Sequence, residues 1–193
     1  LRWIPVESLY LPRETLTPNL EYIIKQGINM KNVKFVYKIQ TNQKVFLKGS
    51  IICTVEAPEE PAKGGSNETS AIVRVTADGR SILFTGDAPA EIEHLAATKQ
   101  IRSDVLKVSH HGSKTSSDWE FLQAVAPQLA VISVGRENRF GHPHQETINK
   151  LSALSIPVAR TDQSGAIRVQ LDAEGIYWSG SRQDVFSKEQ RYE

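Results

Sequence analysis

Four of the five histidines in this chain lie in two short stretches, His110-His111 and His142-Pro143-His144. Each stretch follows a run of residues with strand character, as does Thr85-Gly86-Asp87. Side chains alternate along an extended segment, so one imidazole of His110-His111 is expected to face a common rim while its neighbour turns away. The pair could then serve as one metal ligand and one acid, base or orienting group. The proline between His142 and His144 stiffens the backbone from which both rings leave. Neutral imidazoles and a carboxylate suit Zn²⁺, Mn²⁺ or Fe, and a carboxylate shared by two such ions holds a hydrolytic centre that generates hydroxide at neutral pH. Each signal also has a plainer account. Asp87 alone reads as a helix N-cap, one of the paired histidines as a buried hydrogen-bonded side chain, and Pro143 as a helix start. Their shared position after strands favours the metal reading, whereas His94, beside Glu91 and Glu93, reads as surface.

The elements that would position these groups follow from periodicity and punctuation. Ala71–Ala77 and Arg80–Thr85 are β-rich runs joined by Asp78-Gly79, the pair that best supplies the positive φ angles of a two-residue hairpin. Asp87 and Pro89 open a helix carrying Ile92, Leu95 and Ala96, and 104–109 is a short buried strand. Ser117 with Glu120 reads as a capping box before Phe121, Leu122 and Val125, with Pro127 as the stop. Ala130–Val134 is an apolar strand. Pro143 begins a helix with Ile148, Leu151 and Leu154, 157–161 is a strand, and 165–171 pairs with 176–179. The first half is less regular: a strand over 6–11, a helix from Pro18 to Gly27 with Leu20, Ile23 and Ile24 on one side, and strands over 33–37, 45–47 and 51–55. The segment 56–67 has the composition of an exposed loop. Strand and helix thus alternate through the second half, and in layered α/β folds the carboxyl ends of neighbouring strands converge on one rim.

Composition narrows the function. The 193 residues suit one domain, read as 1–181 with a polar tail at 182–193, and no stretch is long and apolar enough to span a bilayer. A formal charge of +1 creates no global field for nucleic acid, so phosphate recognition must be local. Lys31, Lys34, Lys38, Lys44 and Lys48 read as a solvated sheet face in preference to a nucleic-acid track. The single cysteine, Cys53, rules out an internal disulfide and a thiolate metal knot. Phosphate-loop, dinucleotide-turn, zincin-helix and nucleophile-elbow motifs are absent, and Ser113 is too near His111 in sequence to form a nucleophile and base pair with it.

One ordered set of motifs carries a family resemblance. It runs Asn67-Glu68-Thr69-Ser70, Phe84-Thr85-Gly86-Asp87, Val105-Leu106-Lys107-Val108-Ser109-His110-His111-Gly112-Ser113, Ile132-Ser133-Val134-Gly135, Asn138-Arg139-Phe140-Gly141-His142-Pro143-His144 and Arg160 through Ile167. Over about residues 67 to 170 the chain resembles the C-terminal metallo-β-lactamase-fold domain of ComEC-like competence proteins. The resemblance implies a four-layer αββα arrangement of α/β type. It also implies a divalent-metal-dependent hydrolase with two ions, Mn²⁺ or Zn²⁺, acting as a nuclease on the strand of incoming DNA that is not taken up.

By the same resemblance Asp87 is the bridging carboxylate, and His110 and His111 supply one metal ligand and one second group, in either order. His111 and His142 are the catalytic candidates, with His142 near the leaving oxygen or the phosphate. Ser113, Lys114, Arg136, Arg139 and His144 are candidate substrate contacts. The family's H-x-H-x-D-H type motif has no counterpart here, since no histidine precedes His94. Because 1–11 resembles the strand that follows that motif, the N-terminal part of the domain is expected to be missing and this piece to bind metal weakly. The partners implied are DNA and a membrane channel in the same longer polypeptide, with the domain soluble and outside the bacterial plasma membrane. The competing readings are a stand-alone metallohydrolase for a small molecule and a catalytically inactive DNA-binding or structural domain.

Overall fold

The computed structural model describes residues 5–11, 18–29, 33–38, 40, 42–46, 50–57 and 67–182. The readings of Leu47, of most of the 56–67 loop and of all but the first residue of the tail lie outside them.

The protein is mixed α/β. A seven-stranded sheet has the order β3 (Lys44–Phe46), β4 (Ile52–Ala57), β5 (Ile72–Ala77), β6 (Arg80–Phe84), β7 (Val105–Lys107), β8 (Leu129–Ile132) and β9 (Val158–Arg160). Strands β3 to β6 pair antiparallel, and β6 to β9 pair parallel. The β5–β6 turn places Asp78 at φ +49° and Gly79 at φ +81°, the left-handed pair that matches the twist of the flanking strands. Each parallel connection carries a helix: α2 (Ala90–Ala97), α3 (Trp119–Val125) and α4 (Gln145–Ala153). Such crossovers put helices on a sheet face.

The alternation of side chains along short apolar strands fills both faces of the sheet. On one side Leu83, Leu106, Ala130 and Ile132 meet Ile92 and Ala96 of α2, Phe121, Leu122 and Val125 of α3, and Leu151 of α4. On the other, Val105, Leu129 and Ala159 meet Ile176 with Ile167, Val169 and Trp178. That second group belongs to the antiparallel hairpin of β10 (Ile167–Leu171) and β11 (Ile176–Gly180), which follows the short helix α5 (Thr161–Ser164). Each fully buried Val, Leu, Ile or Phe among them contributes about 1.5–3 kcal/mol. Arg80 locks the hairpin to the sheet, donating to the Asp172 carbonyl at 3.1 Å and pairing with Asp104 at 3.2 Å. A separate β1 (Val6–Leu11), α1 (Pro18–Asn29), β2 (Val33–Lys38) unit has its two strands parallel.

Several local expectations are corrected. Helix α1 runs through Gly27 to Asn29, and Ile23 is exposed while Ile24 is buried. Strand β4 extends to Ala57, so Glu56 is no loop residue; it is buried and pairs with Arg74 at 3.4 Å. The α3 N-cap is Asp118, whose carboxylate accepts from Phe121 N at 2.9 Å, and Ser117 instead sits at φ +54°. Helix α4 starts at Gln145 with His144 as N-cap, two residues beyond Pro143. Helix α2 is entered from Pro89 with no side-chain cap, so Asp87 is not its N-cap. Lys34 and Lys38 are exposed on β2 of the two-stranded sheet and Lys44 is exposed on β3 of the seven-stranded sheet, so the lysines do not share one sheet face. Lys31 and Lys48 lie outside the described residues.

Candidate active site

Because β6, β7 and β8 are parallel, the loops that follow them open at one edge of the sheet. Thr85 fixes the first loop: its buried hydroxyl donates to the Lys107 carbonyl at 2.7 Å. Gly86 turns at φ +56° against Ser70, and the Asp87 amide donates to Ser70 Oγ at 3.3 Å. The first two loops are joined directly, since His110 N donates to the Gly86 carbonyl at 3.1 Å. Lys107 reaches the same carbonyl at 3.2 Å; burial pushes its ammonium below the usual lysine range while Asp87 pulls the other way.

The histidine loop is a left-handed turn. His110, His111 and Gly112 have φ of +45°, +56° and +83°. The conformation costs about 1–3 kcal/mol for each non-glycine residue and persists only where the surroundings impose it. Gly112 is required for space as well, since a Cβ there would lie 2.6 Å from Pro143 Cβ. Its carbonyl accepts from His144 N at 2.9 Å, and Ser113 N donates to the His110 carbonyl at 2.9 Å. Beneath the turn lies Glu93, fully buried on α2, which accepts from Ser109 Oγ in a short hydrogen bond and from Ser117 N at 2.6 Å. Burial pushes the Glu93 carboxyl up to about 7 against these two hydrogen bonds, with Asp118 adding to the rise and Lys150 opposing it.

The turn overturns the expectation that one histidine faces away, because the segment is not extended. His110 and His111 have ring centroids 6.4 Å apart, and His142 lies 5.6 Å from His110 and 6.4 Å from His111. His111 Nδ1 is 2.6 Å from the Ser133 carbonyl, and its Nε2 is 3.6 Å from Asp87 Oδ1. A carbonyl can only accept, so Nδ1 carries the proton and Nε2 meets the carboxylate with either a lone pair or a second proton. Burial pushes the His142 imidazole below its usual value, with His144, His110 and His111 adding to the fall and Asp87 opposing it.

The other sequence candidates take different places. His144 packs 4.8 Å from His142, centroid to centroid, and its Nδ1 accepts from Lys114 N at 3.1 Å. Lys114, Arg136 and Arg139 are exposed; Arg136 Nε donates to the Asp162 carbonyl at 3.5 Å, and the Arg139 guanidinium lies over Phe140. Ser113 is buried, with its hydroxyl 3.0 Å from Thr115 Oγ1, so it braces the loop. His94 is at the surface, paired with Asp118. Sequence reasoning missed Lys107, Glu93 and Asn138. Glu93 was detectable from its place between Ile92 and Ala96 on the apolar face of α2. Asn138 is marked only by what it ties: its side chain donates to the carbonyls of Gly135 at 3.0 Å and His142 at 2.6 Å and accepts from His142 N at 2.9 Å.

The donor chemistry at Asp87 and His111 suits a divalent ion: a carboxylate opposes an imidazole nitrogen whose partner nitrogen is held by a carbonyl, the usual outer support of a metal-binding histidine. Among the described residues no group of three or more His, Cys, Asp or Glu is arranged to hold an ion. A cavity of about 300 Å³, lined in part by Arg74, Arg102 and Gln128, lies at the opposite, hairpin end of the sheet.

No family model matches the chain. It is 42% identical over 116 residues to ComE operon protein 3 of Bacillus subtilis, which is 59% of this chain and 15% of that protein. Competence protein ComA of Neisseria gonorrhoeae is 38% identical over 122 residues, 62% of this chain and 18% of the relative. Recombination protein 2 of Haemophilus influenzae is 37% identical over 113 residues, 58% of this chain and 14% of the relative. The chain thus spans 14–18% of the length of these curated relatives.

Proposed function

We propose that the chain is part of a bacterial DNA-uptake protein and that its histidine rim hydrolyses DNA phosphodiesters with divalent metal. The observation that carries this reading is the opposition of Asp87 and His111 at 3.6 Å, with the His111 tautomer set by Ser133. Similarity to proteins named for competence and recombination supports the DNA-uptake part. The four-layer αββα fold of metallo-β-lactamases belongs to the same proposal.

Asp87 and His111, with His110 beside them, would hold the metal, two ions in the full site, Mn²⁺ or Zn²⁺. When bound, the metal supplies hydroxide at neutral pH and offsets phosphate charge. Asp87 fixes position across the ends of β6 and β7. His142 presents its ring beside the pair, where it can hydrogen-bond a phosphate oxygen or the leaving oxygen. Lys114, Arg136 and Arg139 meet the DNA backbone as exposed cations. In this reading the chain works beside a membrane channel of the same longer polypeptide, outside the plasma membrane. Among the described residues no helix is long and apolar enough to cross a membrane.

The test is cleavage of labelled single- and double-stranded oligonucleotides with Mn²⁺ or Zn²⁺, by this chain and by a version extended upstream. Metal-dependent cleavage that disappears in Asp87→Ala is expected. Oligonucleotide binding without cleavage in both chains under every divalent ion overturns the hydrolytic reading in favour of an inactive binding domain.

A further inference from the structure

Phe140 holds an apolar ring in water, 62% exposed, in the loop after β8 and two residues from His142. A single exposed apolar side chain is ordinary. What distinguishes Phe140 is the scaffold beneath it. The Asn138 amide ties Gly135 to His142 across the base of the loop through hydrogen bonds of 3.0, 2.6 and 2.9 Å. These bonds brace the backbone on either side of Phe140, which lowers the ordering entropy left to be lost when a partner binds at the ring.

The rings continue from this tip into the site. Phe140 stacks on His142 with centroids 5.8 Å apart and planes 25° apart, and His142 stacks on His111 at 6.4 Å and 25°. The series ends at the imidazole that opposes Asp87. The Arg139 guanidinium carbon lies 4.9 Å from the Phe140 centroid, and Lys114 and Arg136 are exposed. Phe140 is 62% exposed, with His142 stacked against it and the Arg139 guanidinium over it. This combination of exposed ring and guanidinium matches the chemistry of a nucleotide: the base stacks on them while its phosphates meet the charges. With a formal net charge of only +1, the chain depends on such local features for binding.

We propose that Phe140 is a stacking platform for an unpaired nucleobase, so that the rim selects single-stranded over duplex nucleic acid; this deepens, and rests on, the reading of the rim as a phosphodiester site. In a duplex both faces of each base are covered by its neighbours, leaving only edges and backbone for a surface ring. A single strand can unstack one base onto Phe140, which directs the adjoining phosphate toward His142 and Asp87.

The experiment measures fluorescence anisotropy at fixed salt with EDTA present, so that binding is read without cleavage. The probes are a labelled oligothymidylate, the same strand annealed to oligoadenylate, and an abasic strand of equal length. The wild-type chain should bind oligothymidylate about 5- to 100-fold more tightly than the abasic strand. Phe140→Ala should bring oligothymidylate down to the abasic affinity while leaving the other two probes unchanged. Phe140→Trp should retain the preference and show quenching of the new indole on binding. Equal wild-type affinity for thymidylate and abasic strands, or a Phe140→Ala loss shared by all three probes, overturns the stacking role and leaves the phosphodiester reading standing. A retained thymidylate preference together with no metal-dependent cleavage in the oligonucleotide assay would do the reverse, and failure of the wild-type chain to bind any probe in EDTA would overturn the stacking role alone.

Discussion

His111 turns its Nδ1 to the carbonyl oxygen of Ser133 at 2.6 Å, across from strand β7 to the end of its neighbour β8. The bond selects a tautomer, because a carbonyl offers no proton. Nitrogen chemical shifts recorded where the ring is neutral should show His111 protonated at Nδ1. A dominant Nε2–H form would show that Ser133 does not orient the ring.

Gly112 cannot accept a side chain. Alanine there would bear a positive φ and place its Cβ within contact of Pro143, which leads into His144 and α4. Gly112→Ala should destabilise the fold by more than about 1 kcal/mol in urea unfolding and shift the His142 and His144 resonances together.

The buried Glu93 carboxyl, pushed up to about 7, makes stability depend on pH. Its ordinary value is 4.5, so between 4.5 and 7 the folded chain holds a proton that the unfolded chain has released. The contribution is fully present below pH 4.5, is lost as pH rises through 7, and is of the order of 3 kcal/mol. Unfolding free energy measured between pH 5 and 8 should fall with rising pH, and Glu93→Gln should flatten that slope.

Asp118 caps α3 through Phe121 N at 2.9 Å. Asp118→Ala should cost about 1 kcal/mol and Asp118→Asn less, measured by chemical denaturation.

Asp87 and Lys114 should fail differently. Asp87→Ala removes the carboxylate opposite His111 and should abolish DNA cleavage in the extended chain, because Asp87 is the carboxylate that meets His111 among the described residues. Lys114→Ala removes one exposed charge, whose contact neighbouring cations partly replace and salt screens. Cleavage rates recorded against salt concentration should show Lys114→Ala as a moderate binding loss that narrows as salt increases. Near wild-type cleavage by Asp87→Ala would end the metal-bridging assignment.

The sequence carried much of this because strong local signals dominate the second half. Asp78-Gly79 dictates its own turn, and the apolar strands before Asp87, His110 and Gly135 announce the loops that share a rim. It failed where a distant partner decides the backbone. Ser117 has the makings of a cap, but Glu93 draws its amide inward and Asp118 caps instead. His110 and His111 follow a strand, yet the bond from His110 to Gly86 and the packing of Gly112 on Pro143 hold them in a left-handed turn that alternation could not anticipate. Pro143 marks a helix start in sequence, but Gly112 claims His144 N, and α4 begins two residues later.

The parallel order β6, β7, β8 also has a consequence in time. The hairpin through Asp78-Gly79 closes between residues adjacent in sequence, and hairpins form in microseconds. Asp87, His111 and His142 lie on three loops separated by helical crossovers, so no local turn brings any of the three together. Their meeting waits on sheet pairings of high contact order, which makes the rim a late product of folding. In a refolding experiment, backbone protection in β5 and β6 should therefore precede the histidine contacts.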